Sequence, residues 1–136
     1  MIRNIVRDAF FLQMPSSSAG KEDLPAVYDL IDTFRENRNR CVGMAANMIG
    51  IRKNIIIFLD GKKEVIMINP KLLSGNGKYE IEEGCLSLTG KRKTERFEEI
   101  VVEYENLDFQ KHRKKYSSYT AQIIQHELDH CRGILI

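Results

Sequence analysis

Hydrophobic residues recur at helical spacing near both ends of this 136-residue chain. Over residues 23–38 apolar side chains occur three and four positions apart, which predicts an amphipathic helix. The apolar positions are Leu24, Val27, Leu30, Ile31 and Phe34. A second helix is predicted to run to about Cys131, with Ser117 or Ser118 as its cap and Gly133 as its stop.

Between the two helices the pattern favours strands. Residues 55–59 form a short apolar run typical of a buried strand, and Asp60-Gly61 after it is a strong hairpin signal. The returning strand is predicted at residues 64–68, and a further strand at residues 97–104. These strands lie between the two helices along the chain.

Two polar segments are predicted to interrupt the strands. Residues 74–77, Ser-Gly-Asn-Gly, have the composition of a turn, and residues 106–115 that of a turn-rich connection. Strands in the middle and a helix at each end predict an α+β fold. At this length we expect one domain covering residues 1–136.

Composition narrows the function class only slightly. The net charge is +2, with 43% hydrophobic and 29% charged residues, as in an ordinary soluble protein without a DNA partner. Three cysteines without disulfide spacing fit a reducing cytoplasm. No apolar segment reaches the length of a membrane span or signal peptide. The basic runs 91–93 and 111–115 could contact ribosomal RNA, although solvated loops are the simpler interpretation.

The candidate chemistry lies near the end of the chain, in the H-E-x-x-H sequence of residues 126–130. On a helix, His126 and His130 lie on one face and can bind one metal ion. Glu127 between them can act as a general base toward water. The alternative is a pair of solvated histidines on an amphipathic helix.

A hydrolytic metal site usually needs a third protein ligand, and few residues follow His130. Cys131 points about 100° away from the metal face, so the third ligand is expected upstream. Cys41, Cys85, His112 and several carboxylates remain open as candidates. Cys85 stands out because Gly84 before it permits a close approach, although a buried cysteine without a ligand role is an equal alternative.

Three motifs in order resemble those of the peptide deformylase family. Residues 125–130, Gln-His-Glu-Leu-Asp-His, match the family's Q-H-E-x-D-H, and residues 83–87, Glu-Gly-Cys-Leu-Ser, match its E-G-C-L-S. Residues 41–48, Cys-Val-Gly-Met-Ala-Ala-Asn-Met, are similar to its G-x-G-L-A-A-x-Q. The resemblance implies mixed or antiparallel strands around a central C-terminal metal-binding helix. It also implies hydrolysis of the formyl group from N-formyl-methionyl nascent peptides, releasing formate.

The resemblance also implies the roles of individual residues. The metal ligands would be Cys85, His126 and His130. Glu127 would be the catalytic acid and base, and the N–H of Leu86 would donate to the developing oxyanion. The family's metal is Fe²⁺, with Zn²⁺ weakly active and Ni²⁺ or Co²⁺ able to substitute, whereas the ligand chemistry alone would suggest zinc.

Further positions are implied for the substrate and for ligand orientation. Val42, Gly43 and Ile123 match residues that line the family's methionine slot, although Ile123 fits plain core packing equally well. Arg92 or Arg96 could steer the downstream peptide, and Arg96 is the better match to a family arginine. Gln125 and Asp129 are expected to orient the metal ligands from behind. Gln125 directly precedes His126, and Asp129 directly precedes His130 in the sequence.

One departure from the family pattern defines the competing hypotheses. Met48 stands where the family has a glutamine whose amide donates to the oxyanion, and a methionine sulfur cannot donate a hydrogen bond. Losing one such donor typically costs ~3–4 kcal/mol of transition-state stabilisation. The second hypothesis is therefore a deformylase-like metal-binding protein with low or no turnover. The third is a small H-E-x-x-H metallopeptidase.

Overall fold

The computed structural model of the chain describes residues 1–136 and consists of three α-helices, two short 3₁₀ helices and five strands. The helices are α1 (Ala9–Leu12), α2 (Leu24–Glu36) and α3 (Ser118–Cys131), and the 3₁₀ helices are Lys21–Asp23 and Ala46–Ile49. The strands are β1 (Gly43–Ala45), β2 (Ile55–Asp60), β3 (Lys63–Cys85), β4 (Leu88–Glu105) and β5 (Lys111–Ser117). None of the helices combines the length and the apolar character that crossing a membrane requires.

The five strands form one antiparallel sheet in chain order, β1-β2-β3-β4-β5. The predicted hairpin at residues 60–61 joins β2 to β3, and Gly61 there has φ +63°, a backbone conformation that favours glycine. The four residues Ile55–Phe58 are fully buried, as expected for a strand covered on both faces. Consecutive pairing of neighbouring strands confirms the predicted α+β arrangement.

The turn predicted at residues 74–77 is wrong, because β3 runs through it and pairs with β4. Gly75 faces the Phe97 ring so closely that a Cβ at this position would lie 2.3 Å from Cδ2. Gly77 adopts φ +75° within the strand. The glycines therefore mark irregular points in a long strand, just after a register shift between Leu72 and Ser74, rather than a chain reversal.

The polar connection predicted at residues 106–115 is only partly correct. The turn covers the first residues, but β5 begins at Lys111 and pairs with the end of β4. Lys115 Nζ lies 3.0 Å from Glu99 Oε2, and Arg113 Nε lies 2.9 Å from Glu103 Oε2. Charged residues are common on edge strands, where they discourage pairing with another chain, so polarity alone was misleading.

Helix α3 packs against the sheet with one apolar side, and its central residues are buried. Gly133 ends the helix as predicted: its φ is +76°, and a Cβ there would lie 2.3 Å from the carbonyl oxygen of Gln13. Ser117 occupies the N-cap position, as predicted, but its side chain makes no capping hydrogen bond, and the Ser118 hydroxyl donates to Glu98. The burial of α3 places its histidines inside the protein.

Candidate active site

Three predicted ligands meet where the end of β3 lies against α3. The Cys85 Sγ atom is 3.2 Å from His130 Nε2, which is 3.1 Å from His126 Nε2. The ligand atoms of all three residues lie within 4.8 Å of one another. The two histidines share a face because they are four residues apart on a helix, and the β3–β4 turn brings Cys85 over them.

The donor set fits a divalent transition metal. Tetrahedral metal–nitrogen and metal–sulfur distances imply edges of roughly 3.3 Å between two nitrogens and roughly 3.6 Å between sulfur and nitrogen. The observed separations are within about half an ångström of these values. Of the ligand candidates left open by the sequence, Cys41 and His112 lie outside this cluster. His112 instead stacks on Tyr104, with its Nε2 3.0 Å from Asn106.

Glu83 fixes the orientation of His126. Its Oε1 lies 2.9 Å from His126 Nδ1, which leaves Nε2 facing Cys85 and His130. Arg96 donates to both Glu83 oxygens, at 2.6 and 3.0 Å, and Gln122 donates to Oε2 at 2.9 Å. Burial opposes ionisation of Glu83, but the hydrogen bonds from His126 and Arg96 outweigh it and hold its pKa to about 2. The carboxylate therefore stays charged behind the histidine.

Glu127 lies beside the three predicted ligands and, unlike Glu83, has no hydrogen-bonded cation or amide. The side chain is buried, and its Oε1 has no hydrogen-bond partner. Burial raises the pKa of Glu127 to about 7. A carboxyl group that titrates near neutrality can both accept a proton and return it, which is what a general acid and base requires.

Comparison with known proteins agrees with this geometry. The sequence model described as polypeptide deformylase matches residues 13–136. A peptide deformylase from Clostridium beijerinckii is 51% identical over 136 residues, which are 100% of both chains. A second relative, peptide deformylase 1 from Clostridium perfringens, is 36% identical over 112 residues, covering 80% of this chain and 75% of the relative.

The chain belongs to the polypeptide deformylase family. A solved peptide deformylase from Thermotoga maritima superposes with a TM-score of 0.89 at 28% identity, covering 99% of this chain and 95% of that one. The actinonin-bound class I type b enzyme from Acinetobacter baumannii gives 0.87 at 28% identity, with the same coverage. The family and the deformylase fold predicted from three motifs are thereby confirmed.

Several other predicted residues of this deformylase line one cleft of about 970 Å³, which Cys85 and His126 also line. They include Val42, Gly43, Ile123 and Leu86. Gly43 approaches α3 so closely that a Cβ would lie 2.7 Å from Glu127 Oε2 and 2.9 Å from Ile123 Cγ2. Leu86 occupies the two-residue turn between β3 and β4, and its carbonyl accepts a hydrogen bond from Arg7 at 2.9 Å.

The structure places Arg96 differently from the prediction. Its side chain is only 4% exposed, it lies outside the cleft, and it bridges Glu83 and Asp129, with 2.8 Å from Nη1 to Asp129 Oδ2. A guanidinium held by two carboxylates cannot also reach a peptide in the cleft. Arg96 is therefore a structural cation behind His126, and the expectation of substrate contact is corrected.

Gln125 and Asp129 act on the deformylase scaffold rather than on the ligand rings. Gln125 accepts from the Phe97 N–H at 2.8 Å and donates to the Phe97 carbonyl at 2.9 Å, which ties α3 to β4. Asp129 reaches the site through Arg96, whose other partner is Glu83. Both residues thus hold the helix that carries the histidines.

Sequence reasoning missed three residues that support the site. Glu83 had a usable signal, because strand alternation puts it on the same face as Cys85. Asn47, whose Nδ2 donates to the His130 carbonyl at 2.9 Å, and Gln122, which donates to Glu83, had none. Their partners are separated from them by 83 and 39 residues, so only the tertiary fold reveals these contacts.

Met48 lines the same cleft in the 3₁₀ helix that follows β1. It is buried, and its sulfur accepts the N–H of Ala45 at 3.4 Å. The side chain is thus an acceptor at the position where the family motif has an amide donor.

Proposed function

We propose that this deformylase hydrolyses the formyl amide of N-formyl-methionyl peptides, producing formate and a free amino terminus. Cys85, His126 and His130 hold the metal, and Glu127 moves the proton. The proposal is carried by the buried, unpartnered Glu127 carboxyl beside three converging ligand atoms. The 51% identity with a named peptide deformylase over the whole chain supports the substrate class.

The metal proposed for the site is Fe²⁺, with Zn²⁺, Ni²⁺ and Co²⁺ as substitutes. A thiolate and two imidazoles form a ligand set that accepts any of these ions. When bound, the metal supplies a Lewis acid and activates water at neutral pH. Glu83 supports binding of any of them, because a carboxylate on the far ring nitrogen makes the facing nitrogen of His126 more basic.

Glu127 performs both proton transfers in this proposal. It accepts a proton from the attacking water and returns it to the amine as the C–N bond breaks. The N–H of Leu86 donates to the oxygen that becomes negative at the former formyl carbon. Val42, Gly43 and Ile123 form the apolar side of the cleft that receives the methionine side chain.

A second candidate is a deformylase with weak turnover, and Met48 is the observation that favours it. With no donor from this side chain, the oxyanion lacks one hydrogen bond, which lowers the rate by about 10²–10³ relative to a site with two donors. The small metallopeptidase alternative is less well supported, because Cys85 completes the ligand cluster and the family match covers the motifs. Contact of the basic runs with ribosomal RNA stays a prediction.

Product analysis tests the proposal. Protein loaded with Fe²⁺ under anaerobic conditions is incubated with an N-formyl-methionyl peptide that also contains several internal bonds. We expect equimolar formate and free amine with every internal bond intact, and loss of this activity in Cys85→Ser. Cleavage of internal bonds, or full activity in Cys85→Ser, would instead favour the metallopeptidase hypothesis.

A further inference from the structure

Four cationic side chains surround the mouth of the cleft. Arg7 comes from the N-terminal segment, Arg38 and Arg40 follow α2, and Lys91 lies on β4. All four are exposed, and the acidic residue exposed among them is Glu82. The rim therefore carries a clear excess of positive charge, although the whole chain has a net charge of only +2.

The other acidic residues of the cleft do not offset this charge. Glu83 is committed to Arg96 and His126, and Glu127 is buried beside the metal ligands. Both are buried, whereas Glu82 is exposed. The exposed charged groups that a ligand meets at the mouth are thus the four cations and Glu82.

The rim cations are held in place without being neutralised. Arg7 donates to the Leu86 carbonyl at 2.9 Å, and Arg40 donates to the Asn37 side-chain oxygen. Both acceptors are uncharged, so the remaining N–H groups of each guanidinium are available to a carboxylate. No carboxylate oxygen lies within 4.0 Å of the Arg7, Arg40 or Lys91 side-chain nitrogens.

Two exposed arginines elsewhere in the chain, by contrast, form ion pairs with carboxylates. Arg35 pairs with Glu64 at 2.8 Å and Arg113 with Glu103 at 2.9 Å. Of the four rim cations, Arg38 alone has a carboxylate partner, and it shares Glu64 with Arg35. Unpaired cations at the entrance of a cleft raise the local concentration of anionic ligands and steer them inward.

We infer that the cleft mouth selects peptides with acidic residues directly after the formyl-methionine. The inference rests on the proposed function, which places the formyl group at the metal ligands and the methionine in the apolar part of the cleft. An extended peptide advances about 3.3–3.6 Å per residue, so the second and third residues reach the rim. Arg7, Arg40 and Lys91 are then the specificity-determining contacts.

The test compares formyl-Met-Asp-Asp and formyl-Met-Lys-Lys peptides, both amidated at the C-terminus, with a formyl-Met-Ser-Ser reference. The ratio of kcat/KM for the acidic and basic peptides is measured in one preparation, because active-enzyme concentration cancels from it. We expect the acidic peptide to be preferred by about tenfold at low ionic strength, with the preference shrinking as salt increases. A ratio near one, with normal turnover of the reference, would overturn the inference and leave the proposed function intact.

Charge-reversal variants test whether the rim cations cause the preference for acidic peptides. Arg40→Glu and Lys91→Glu are each expected to lower the ratio several-fold. Lys111→Glu, the matched control on β5 outside the cleft, makes the same charge change and should preserve it. If Lys111→Glu lowers the kcat/KM ratio equally, the preference depends on the net charge of the protein, and the proposed role of the rim cations is rejected. Arg7 is kept unchanged, because its loss would also release the Leu86 turn.

Binding provides a readout that does not depend on turnover. Fluorescein-labelled forms of the acidic and basic peptides are titrated with metal-loaded Glu127→Gln, and the ratio of their Kd values is compared with the kinetic ratio. If no peptide is hydrolysed by the unmodified enzyme, the proposed function fails, and this ratio still decides the inference. A short single-stranded RNA that displaces the acidic peptide at equal charge concentration would show a general polyanion surface and reject peptide selectivity.

Discussion

The Nδ1 atom of His126 lies 2.9 Å from Oε1 of Glu83, so a strand residue fixes the ring of a helix-borne histidine that is a predicted metal ligand. Arg96 and Gln122 hold the Glu83 carboxylate from its other sides. These hydrogen bonds hold the ring from the side opposite Cys85 and His130. A ligand that is already oriented loses less conformational freedom on binding.

Glu83→Gln tests this support. The variant keeps the shape of the side chain but removes the charge, so we expect metal affinity to fall about 10–100-fold. Chelator competition gives the dissociation constant. Glu82→Gln is the matched control. Glu82 is the next residue along β3, and its side chain is exposed on the opposite face of the strand. Equal affinity in both variants would show that Glu83 does not orient the ligand.

Met48→Gln tests the missing oxyanion donor. A glutamine amide at this position can donate where the methionine sulfur cannot, so kcat is expected to rise by about 10²–10³. Met48→Leu fills similar space without a donor and should give no gain. If glutamine also gives none, another group already serves the oxyanion.

Gly43→Ala tests the close approach of β1 to α3. The added Cβ would lie 2.7 Å from Glu127 Oε2 and 2.9 Å from Ile123 Cγ2, so we expect a loss of about 1–3 kcal/mol in unfolding free energy. Gly84→Ala is the control, because its nearest neighbour would be the Gly90 carbonyl oxygen at an ordinary 3.6 Å. Urea denaturation measures both. Equal stability of the two variants would mean that the Glu127 and Ile123 side chains, or β1 itself, can shift without cost.

Glu64, which lies outside the active site, is expected to make the stability of the fold depend on pH. Its hydrogen bond with Arg35 lowers its pKa below 4.5 in the folded chain, despite the opposing effect of burial. The folded state thus binds this proton less readily, so the stabilisation is present above pH 4.5 and is lost as pH falls through the folded value.

Glu64→Gln should therefore be less stable than the unmodified chain at pH 7, by at most about 1 kcal/mol because Arg35 is exposed. The difference should be smaller at pH 3 than at pH 7. Glu36→Gln, which removes an exposed glutamate on α2 without an ion pair, is the control for the substitution itself. Urea denaturation at both pH values is the measurement. A Glu64→Gln difference that stays constant with pH would contradict the account.

The sequence predicted the features that depend on local periodicity and on short motifs. Helix α2, the 60–61 hairpin and the stop at Gly133 follow from residues close together in the chain. The H-E-x-x-H spacing was sufficient to put two histidines on one helical face. Cys85 remained one of several candidates on these grounds, and the motif resemblance selected it.

The errors arose where distant residues decide the local structure. Residues 74–77 look like a turn until Phe97 on the neighbouring strand is known to cover Gly75. Arg96 looked like a peptide-binding arginine because nothing in the sequence shows that Glu83 and Asp129 enclose it. The basic rim escaped notice for the same reason, since its members come from three separate segments.

The most direct test of the central claim compares the unmodified enzyme with Glu127→Gln at equal Fe²⁺ content under anaerobic conditions. Formate release from a formyl-methionyl peptide is measured, together with bound metal per chain. The account predicts full metal binding in both proteins and a loss of about 10²-fold or more in kcat for the variant. Equal turnover at equal metal content would contradict it, because Glu127 would then not be the group that moves the proton.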